Sequence, residues 1–595
     1  MKNRAICACT GAALAVACTS AHAFPFSTGI GDLQGSWDSN ITAGMATRTK
    51  NPSCSLTGDP DFANCGAAAN TAQWSNGDDG DLNYKKFKPY SAYLGLTSEL
   101  LLSSQEAGVK FMVRGTGLYD FMAKNTQRTD LSGDAYGQIV HNIDLLDLWV
   151  QKSFNIGDQQ ARVRVGNQAI NWGESYFAAG GINATNSLDY QKLAIPGTQL
   201  KQAILPAPMI DFSTSLPKGF DTEAYYQWAW KANRYPPVGT FWSTSDVFGK
   251  GFQPATLNTN NLNVGGLDAG TLAGPGRVGI GTLNATNSAL VNGAYPGSLG
   301  VPYLTTNAGD NPQYGIRVGY RPPNLDVNFG LYYLQYTDKA PVVSYLANGV
   351  SNYHYLSDRR LIGASANLPV GNWAVGTELS YRPRDAVAMS GCFNAGGPAD
   401  ANTNGVSGQT CNGYRDFKKF QYDINAQLNL TPSTYPFIKF LKADAATFTA
   451  EFTWINYPGV NPNTQYYSTI NGHPVYQLVD AGYVTWLNGG NVGGQGTANS
   501  MGLTLDFNWT YDGSLIPGWQ VTPGVTFQGT LHGYTPTFSY NYASGAKSAN
   551  LYVLFNQNPT VWQAGINFAM FFGGNSSSQV YGDRNFIGIF ATRNF

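Results

Sequence analysis

The segment 501–511, MGLTLDFNWTY, alternates between apolar and polar residues along its whole length. Successive side chains of a β-strand point to opposite faces of the sheet, so the alternation predicts a strand with one oily and one wet face. Its length is close to the roughly 9–11 residues with which a tilted strand crosses a bilayer. This favours a membrane-spanning strand over a strand of a soluble sandwich, which usually has about 5–6 residues.

The same pattern recurs along the chain, at 92–102, 109–120, 420–430 and 562–572. Because backbone groups inside hydrocarbon must all be paired, a sheet of such strands has to close into a barrel. We therefore predict an all-β fold, a transmembrane antiparallel β-barrel of about 18 strands, within a range of about 14–18.

Composition supports a chain with little water-exposed surface. Of the 595 residues 12% are charged and 13% are aromatic, with 69 Gly and a formal net charge of -1. Soluble domains carry roughly 25% charged residues. The lack of a basic excess argues against a nucleic-acid partner. No apolar run of about 18 residues follows the leader, so no transmembrane helix is expected.

The first residues, MKNRAICACTGAALAVACTSAHA, are typical of a secretory signal peptide. Lys2 and Arg4 precede a short apolar stretch, and Ala21-His22-Ala23 forms a small-x-small cleavage site. The alternative is a lipoprotein signal cut before Cys18, although Ala15 stands where a leucine is usual. We predict a signal peptide at 1–23 and an outer-membrane barrel at 24–595.

Short and long connections alternate between the expected strands. Segments such as 103–107 and 369–371 are short, whereas 49–90 and 232–312 are long. This alternation is typical of barrels with short periplasmic turns and longer extracellular loops, and it places both termini in the periplasm. The terminal Phe595 after an alternating strand resembles the signal that the barrel-assembly machinery reads.

The cysteines of the mature chain form two local groups, Cys54 with Cys65 and Cys392 with Cys411. Three connectivities are possible. The two local pairings close the shortest loops, and an oxidising compartment permits disulfides. A metal site is disfavoured because histidines and carboxylates do not cluster nearby.

Charged residues on the expected inner wall fall into two groups. Lys110, Arg114, Arg162, Arg164, Arg317 and Arg321 lie on strands three, five and eight, and Glu378, Asp423, Glu451 and Asp506 lie on strands eleven to fourteen. One interpretation is a transverse field across the bore. The alternative is that these charges pair with loops in the lumen or with each other. A barrel of this width must be filled by water or by a loop, and 171–208 and 232–312 are both candidates.

Four motifs carry a resemblance to a family. They are RVGNQAINWGES at 164–175, GGIN at 180–183, PGTQLKQAILPAPM at 196–209 and FFGGNSSSQVYGDRNFIGIF at 571–590. Together they resemble the uncharacterised Gram-negative outer-membrane family of unknown function DUF1302. The resemblance implies a barrel often encoded beside an exporter of the resistance-nodulation-division (RND) type, with hydrophobic or aromatic compounds as suspected substrates. Asn167 and Ala184-Thr185-Asn186 depart from the family's usual Arg and Val-Asn-Pro.

Asn171, Trp172, Glu174 and Asn183, which lie in the first two of these motifs, are the best candidates for a constriction or a ligand contact. A tryptophan flanked by polar groups in a folded-in loop could hold the edge of an apolar solute while Glu174 orients it. In the alternative, Trp172 packs the loop against the wall and Glu174 caps a turn.

No enzyme is expected, because known catalytic sequence motifs are absent and because His141, His354, His473 and His532 lie far apart in sequence. No cofactor is expected. We predict a porin-like channel through which small hydrophobic or aromatic molecules diffuse past a loop. The alternatives are an accessory barrel that docks a periplasmic partner of an RND-type export or lipid-trafficking system, and a surface hydrolase. The expected surroundings are the lipid bilayer and lipopolysaccharide.

One long connection, 431–444, breaks the alternation because it lies where a short periplasmic turn is expected. Its apolar residues Pro436, Phe437, Phe440 and Leu441 would suit a docking site for such a partner.

Overall fold

The computed structural model describes most of residues 24–595. The described residues are 24–56, 79–244, 246, 248–251, 311–345, 351–394, 411–460, 496–537, 541–576 and 578–595, with short stretches inside 255–309, 397–398 and 466–477. The signal peptide predicted at 1–23 lies outside these residues.

Eighteen antiparallel strands form the wall. They are β1 Gln34–Arg48, β2 Pro89–Ser104, β3 Val109–Asp120, β4 His141–Ile156, β5 Gln159–Gln168, β6 Ala207–Leu216, β7 Phe220–Gln227, β8 Gln313–Tyr320, β9 Asn328–Tyr336, β10 Arg359–Val370, β11 Trp373–Asn394, β12 Cys411–Leu430, β13 Ala445–Asn456, β14 Asn499–Ile516, β15 Trp519–His532, β16 Lys547–Gln557, β17 Trp562–Phe572 and β18 Phe586–Asn594. Each pairs with the next, and β18 pairs with β1. The predicted closed barrel is confirmed.

Closure joins the two ends of the chain. Thr42 of β1 lies opposite Thr592 of β18, and their hydroxyl oxygens are 2.8 Å apart. Phe595 donates its backbone N–H to the carbonyl of Ser39 at 2.8 Å. Arg593 shares its parity with the apolar Ile587 and Ile589 of β18, and it lies over the rings of Trp562 and Phe595 at 5.5 and 4.8 Å. A guanidinium at the barrel rim can stack on aromatic rings while its charge reaches water. The assembly role of Phe595 stays a prediction.

The alternation places apolar side chains on the outer surface of the barrel. Leu331, Ile362 and Leu94 are 62%, 54% and 48% exposed, although their strands pair on both sides. The polar residues between them, such as Ser365 and Thr97, are buried inside the bore. No helix among the described residues is long and apolar enough to cross a membrane. The belt of exposed apolar side chains is that of a transmembrane β-barrel.

Helices are short and lie in the connections. They are α1 Asp79–Leu82, α2 Gly133–Ile139, α3 Tyr190–Leu193, α4 Leu200–Ala203 and α5 Pro436–Leu441, with a 3-10 turn at Pro217–Gly219. The remaining strands are Phe24–Ser27, Ser187–Leu188, Ile204–Leu205, Ala255–Asn258, Asn263–Val264, Leu267–Asp268, Arg277–Gly279, Gly300–Val301, Tyr303–Thr306, Val342–Tyr345, Ser351–His354, Gly397–Pro398, Tyr466–Ile470 and His473–Gln477. Tight turns close the end that carries both termini, as the connection lengths predict. Gly371, for example, turns β10 into β11 with φ +61°.

Cys54 is disulfide-bonded. Cys65 lies outside the described residues, so the pairing of these two cysteines stays a prediction. Cys392 lies in β11 and Cys411 begins β12. Because Phe393 pairs with Asn412, these two cysteines lie on adjacent strands at the outer end of the wall, on opposite sides of that residue pair. Their bond also stays a prediction.

Candidate functional site: a segment folded into the bore

Residues 169–206, which connect β5 to β6, fold into the barrel, and we call them the plug segment. It contacts β7 and β9 first, then β11 to β13, and finally β2 and β18. Of the two candidate loops, this one fills the middle of the bore in the part of the chain that the structure describes.

Trp172 fixes the start of the plug segment to the wall. It is 4% exposed, and its indole N–H donates to Glu223 at 2.7 Å. Its ring lies 5.2 Å from that of Tyr225 and 5.8 Å from that of Tyr332. Gly315 makes room for it, because a Cβ there would lie 2.8 Å from the indole. This geometry favours the second interpretation of Trp172, in which it packs the loop against the wall.

Glu451 of β13 binds the next turn of the plug segment. One carboxylate oxygen accepts from the Ser175 hydroxyl and the Tyr176 N–H at 2.8 and 2.9 Å. The other accepts from the N–H groups of Phe177 and Ala178 at 2.6 and 2.8 Å. Glu451 is 2% exposed, so a charge buried in the bore is satisfied by four donors of the loop.

Glu378 of β11 binds the segment on either side of this turn. Its carboxylate accepts from the N–H groups of Glu174 at 2.7 Å, Ser175 at 3.3 Å and Ile182 at 3.0 Å. A Cβ at Gly181 would lie 2.0 Å from Glu378, so only glycine allows this approach. The sequence placed both acids on the inner wall but did not identify their partners, which are backbone groups.

Asp423 of β12 lies between these two acids and bonds to the wall instead. It is fully buried and accepts from Thr453 at 2.6 Å and Gln421 at 3.0 Å. Arg382, which the sequence analysis missed, donates to the carbonyls of Gly180 and Gly181 at 2.7 and 3.2 Å. The GGIN motif was the available signal, since two glycines leave their carbonyls open to a side chain.

Of the other candidate residues, one is hydrogen-bonded to the wall and the rest are exposed. Glu174 accepts from Asn367 at 2.9 Å. Asn171 and Asn183 are exposed, and Tyr176 is 48% exposed. A solute in the bore can therefore reach these three side chains in the first half of the plug segment. Burial raises the pKa of Tyr176, so it stays a neutral hydroxyl.

The second half of the plug segment is held by the opposite wall. Tyr93 donates to the carbonyl of Pro196, and Gln202 donates to Thr97 at 2.6 Å. Gly197 adopts φ +81° where a Cβ would lie 2.7 Å from Phe590. The segment is thus fastened on both sides of the bore.

Several basic residues of the inner wall have local partners, and Arg114 and Arg162 form ion pairs. Arg114 pairs with Glu99 at 2.9 Å and Asp147 at 3.0 Å. Arg162 pairs with Glu223 at 2.9 Å and Asp211 at 3.4 Å. Arg164 donates to Gln151 at 2.8 Å and lies 4.2 Å from the ring of Trp149. These contacts correspond to the pairing alternative rather than to a transverse field.

A periplasmic-side cavity of about 510 Å³ opens among these basic strands. Its charged lining residues are Lys110, Arg162, Asp221, Glu223 and Arg317. The remaining lining is almost entirely hydroxyl and amide side chains, which leaves space for water below the plug segment.

A larger cavity of about 740 Å³ lies above the plug segment, on the extracellular side. Its aromatic lining residues are Trp230, Tyr235, Phe248, Tyr353 and Tyr355. Three of these rings are in series, with centroids 4.9 Å apart for Tyr235 and Phe248 and 5.2 Å apart for Phe248 and Tyr353. Aromatic walls of this kind suit a flat apolar solute.

Two lysines of this cavity, Lys231 and Lys250, pair with no carboxylate among the residues that the structure describes. Lys231 donates to the carbonyl of Pro206 at 2.5 Å, and burial lowers its pKa. Arg234, by contrast, pairs with Asp144 at 2.8 Å. The aromatic cavity therefore offers uncompensated cations beside its rings, against the single lining carboxylate Asp134.

Residues 234–244, 246 and 248–251 close the outer mouth beside this cavity. Phe241 stacks on Tyr90 of β2 with ring centroids 3.7 Å apart. Arg584 donates to the carbonyls of Phe241 and Ser243. Within 232–312, residues 241–243 thus belong to the mouth, and much of 252–302 lies outside the described residues. The described residues contain no group of three potential metal ligands.

We expect Glu451→Gln to loosen the middle of the plug segment. An amide would turn one acceptor oxygen into a donor that faces two N–H groups. Two charge-assisted hydrogen bonds, worth about 1.5–3 kcal/mol each, would be lost. Hydrogen exchange of the amides of 176–178 should accelerate by at least about ten-fold, which corresponds to about 1.4 kcal/mol.

Asp506→Asn is the matched control, because Asp506 is 3% exposed on the same inner wall but bonds to Thr526, Asn508 and Tyr552 instead of the plug segment. Equal exchange at 176–178 in both variants would contradict the assigned contacts.

Comparisons with known proteins give one family and several similar solved structures. The family model described as "Protein of unknown function (DUF1302)" matches residues 4–595. Similar solved structures include Pseudomonas aeruginosa OccK1 (OpdK), at 10% identity and a TM-score of 0.39, and a BenF-like porin from Pseudomonas fluorescens Pf-5, at 9% and 0.40. Acinetobacter baumannii OccAB2 matches at 9% and 0.39. Each match covers 94% of this chain and 98% of the other. No curated protein matches. At this similarity the solved structures assign no solute to this chain.

Proposed function

This chain belongs to the DUF1302 family of proteins of unknown function, and we propose that it is an outer-membrane channel for small organic anions with an aromatic body. Solutes would bind in the outer cavity, pass the plug segment and leave through the polar periplasmic-side cavity. The observation that carries the proposal is the outer cavity, in which aromatic rings surround Lys231 and Lys250.

The chemistry of this cavity selects for two features at once. Rings in series stabilise a flat apolar body, while an ammonium without a carboxylate partner gains a charge-assisted hydrogen bond from a bound carboxylate. A purely apolar solute would leave the lysines uncompensated, and a cation would be repelled by them. The plug segment below would then allow only solutes that pass the exposed Asn171, Tyr176 and Asn183.

The test is ion current through the purified barrel in a planar bilayer, with benzoate added on the extracellular side. We expect benzoate to interrupt the current at concentrations where acetate and benzylammonium do not. Lys231→Gln should weaken this effect by about ten-fold, because a charge-assisted hydrogen bond contributes about 1.5 kcal/mol or more.

Lys88→Gln removes the same charge from an exposed site near the outer rim that does not line the cavity. It should leave the effect of benzoate unchanged. An equal response to benzoate and acetate, or an equal loss in both variants, would overturn the proposed substrate class.

A further inference from the structure

The long periplasmic connection 431–444 folds onto the outside of the barrel. Its helix α5 buries Ile438 completely, in a cluster with Leu428, Leu430 and Ala446. Leu428 is five residues after the inward Asp423 along the regular strand β12, so it points outward. Ala446 is likewise five residues before the inward Glu451, with no irregularity in the pairing of β12 and β13. Ile438 therefore packs on the lipid-facing side of the wall.

Hydrogen bonds fix the helix in this position. The hydroxyl of Tyr511 on β14 donates to the carbonyl of Leu441 at 2.9 Å. Lys442 ends the helix with φ +53°. Asp444 then accepts from the N–H of Asp512 at 2.7 Å, which joins the connection to the neighbouring turn. The connection is thus docked on the barrel rather than extended into the periplasm.

Docking leaves two phenylalanines without protein contacts over much of their surface. Phe440 is 89% exposed and Phe437 is 51% exposed. They are three residues apart, so they lie on one face of the helix. Lys439 and Lys442 are exposed as well, and neither forms an ion pair with another described residue.

We propose that α5 is an interfacial anchor that inserts Phe437 and Phe440 into the periplasmic leaflet of the membrane, with Lys439 and Lys442 contacting lipid phosphates. The helix continues the apolar belt and lies at the periplasmic end of the wall beside Trp373 and Trp509, which belong to the same cluster. Aromatic side chains at this level form the interfacial girdle of membrane barrels. Amphipathic helices with phenylalanines on one face and lysines nearby bind in the plane of the interface.

This position favours lipid over a protein partner at 431–444. A periplasmic protein that covered Phe440 would have to displace lipid from the outer surface of the wall. Phospholipid covers both the apolar side chains and the lysines without such displacement. The anchor is independent of the channel proposed above, since it touches neither cavity.

Photo-crosslinking tests the anchor in the intact protein. p-Benzoylphenylalanine is placed at Phe440 in the full chain, which is reconstituted in vesicles of phosphatidylethanolamine and phosphatidylglycerol and then irradiated. Thr434, an exposed polar residue of the same connection, carries the probe in the control. We expect phospholipid adducts at 440 in several-fold excess over 434. Equal adducts at both positions, or a protein adduct that dominates at 440 when whole cells are irradiated, would overturn the proposal.

Substitution of an exposed lysine of the connection gives a second measurement, because it leaves the packing of Ile438 intact. With the probe at 440, the ratio of phosphatidylglycerol to phosphatidylethanolamine among the adducts should exceed the ratio in the vesicle by about five-fold, since a lysine near an anionic surface contributes about that factor. Lys439→Gln should reduce this enrichment, whereas Lys88→Gln at the opposite rim should not. Heat-dependent gel mobility confirms in each case that the barrel is folded. Adducts in proportion to vesicle composition would contradict the role of the lysines.

Discussion

Replacing residues 174–201 by a short glycine-serine linker is expected to raise the single-channel conductance about ten-fold or more, because a barrel of 16–18 strands without a plug leaves an aqueous channel. The wall does not depend on the plug segment for its backbone pairing, since every strand bonds to two neighbours. Planar-bilayer recording of both proteins measures the change. Heat-dependent gel mobility shows that the shortened chain is still a barrel.

The shortened barrel should also prefer cations. Glu378 and Glu451 would lose the backbone N–H groups that now satisfy them, and both carboxylates would face water beside Asp423 and Asp506. The basic residues of the other wall would keep their partners, such as Glu99 for Arg114. Removal of the plug segment therefore leaves uncompensated negative charge, and a salt gradient should give a reversal potential of the cation-selective sign. An unchanged conductance, or a preference for anions, would show that this segment does not fill the pore.

The fold could be predicted because period-two alternation is a local property. In 501–511 the position of each residue in the alternation indicates which face of the sheet its side chain lies on. The same holds for the strands that contain Glu378 and Glu451. The segments of β1, β6 and β16 carry weaker alternation, yet these strands form because each is paired on both sides.

The site could be predicted only in part. The alternation of apolar and polar residues placed Glu451 in the bore. Its partners include the backbone N–H groups of 176–178, and the residue types of a sequence do not show which backbone groups will donate to a side chain. Arg382 was missed for the same reason, because it binds the carbonyls of Gly180 and Gly181. The apolar residues of 431–444 were recognised from the sequence. The outward docking of Ile438 was not, because it depends on Leu428 and Ala446, which lie on the flanking strands outside this connection.

Arg48→Met is expected to destabilise the barrel by about 3–5 kcal/mol, the cost of leaving a buried ion pair without one partner. Arg48 at the end of β1 and Asp81 in α1 are both fully buried, with Nη2 2.6 Å from the carboxylate. The same guanidinium donates to the carbonyl of Tyr84 at 3.1 Å and lies 3.4 Å from the carboxylate of Asp583. Burial raises the pKa of Asp583, and the loss of Arg48 would raise it further. The measurement is the midpoint of guanidinium unfolding in detergent.

Arg321→Met provides the control for this prediction. Arg321 and Asp326 are 3.0 Å apart but 66% and 67% exposed, and such surface pairs contribute only about 0–1 kcal/mol. Equal midpoints for Arg48→Met and Arg321→Met would show that the buried ion pair does not stabilise the outer mouth.

If the ion pair does stabilise the outer mouth, benzoate should also act more weakly on Arg48→Met. Arg584 supports residues 241–243 from the same cluster, and those residues lie in the loop that continues to Phe248 and Lys250 of the outer cavity.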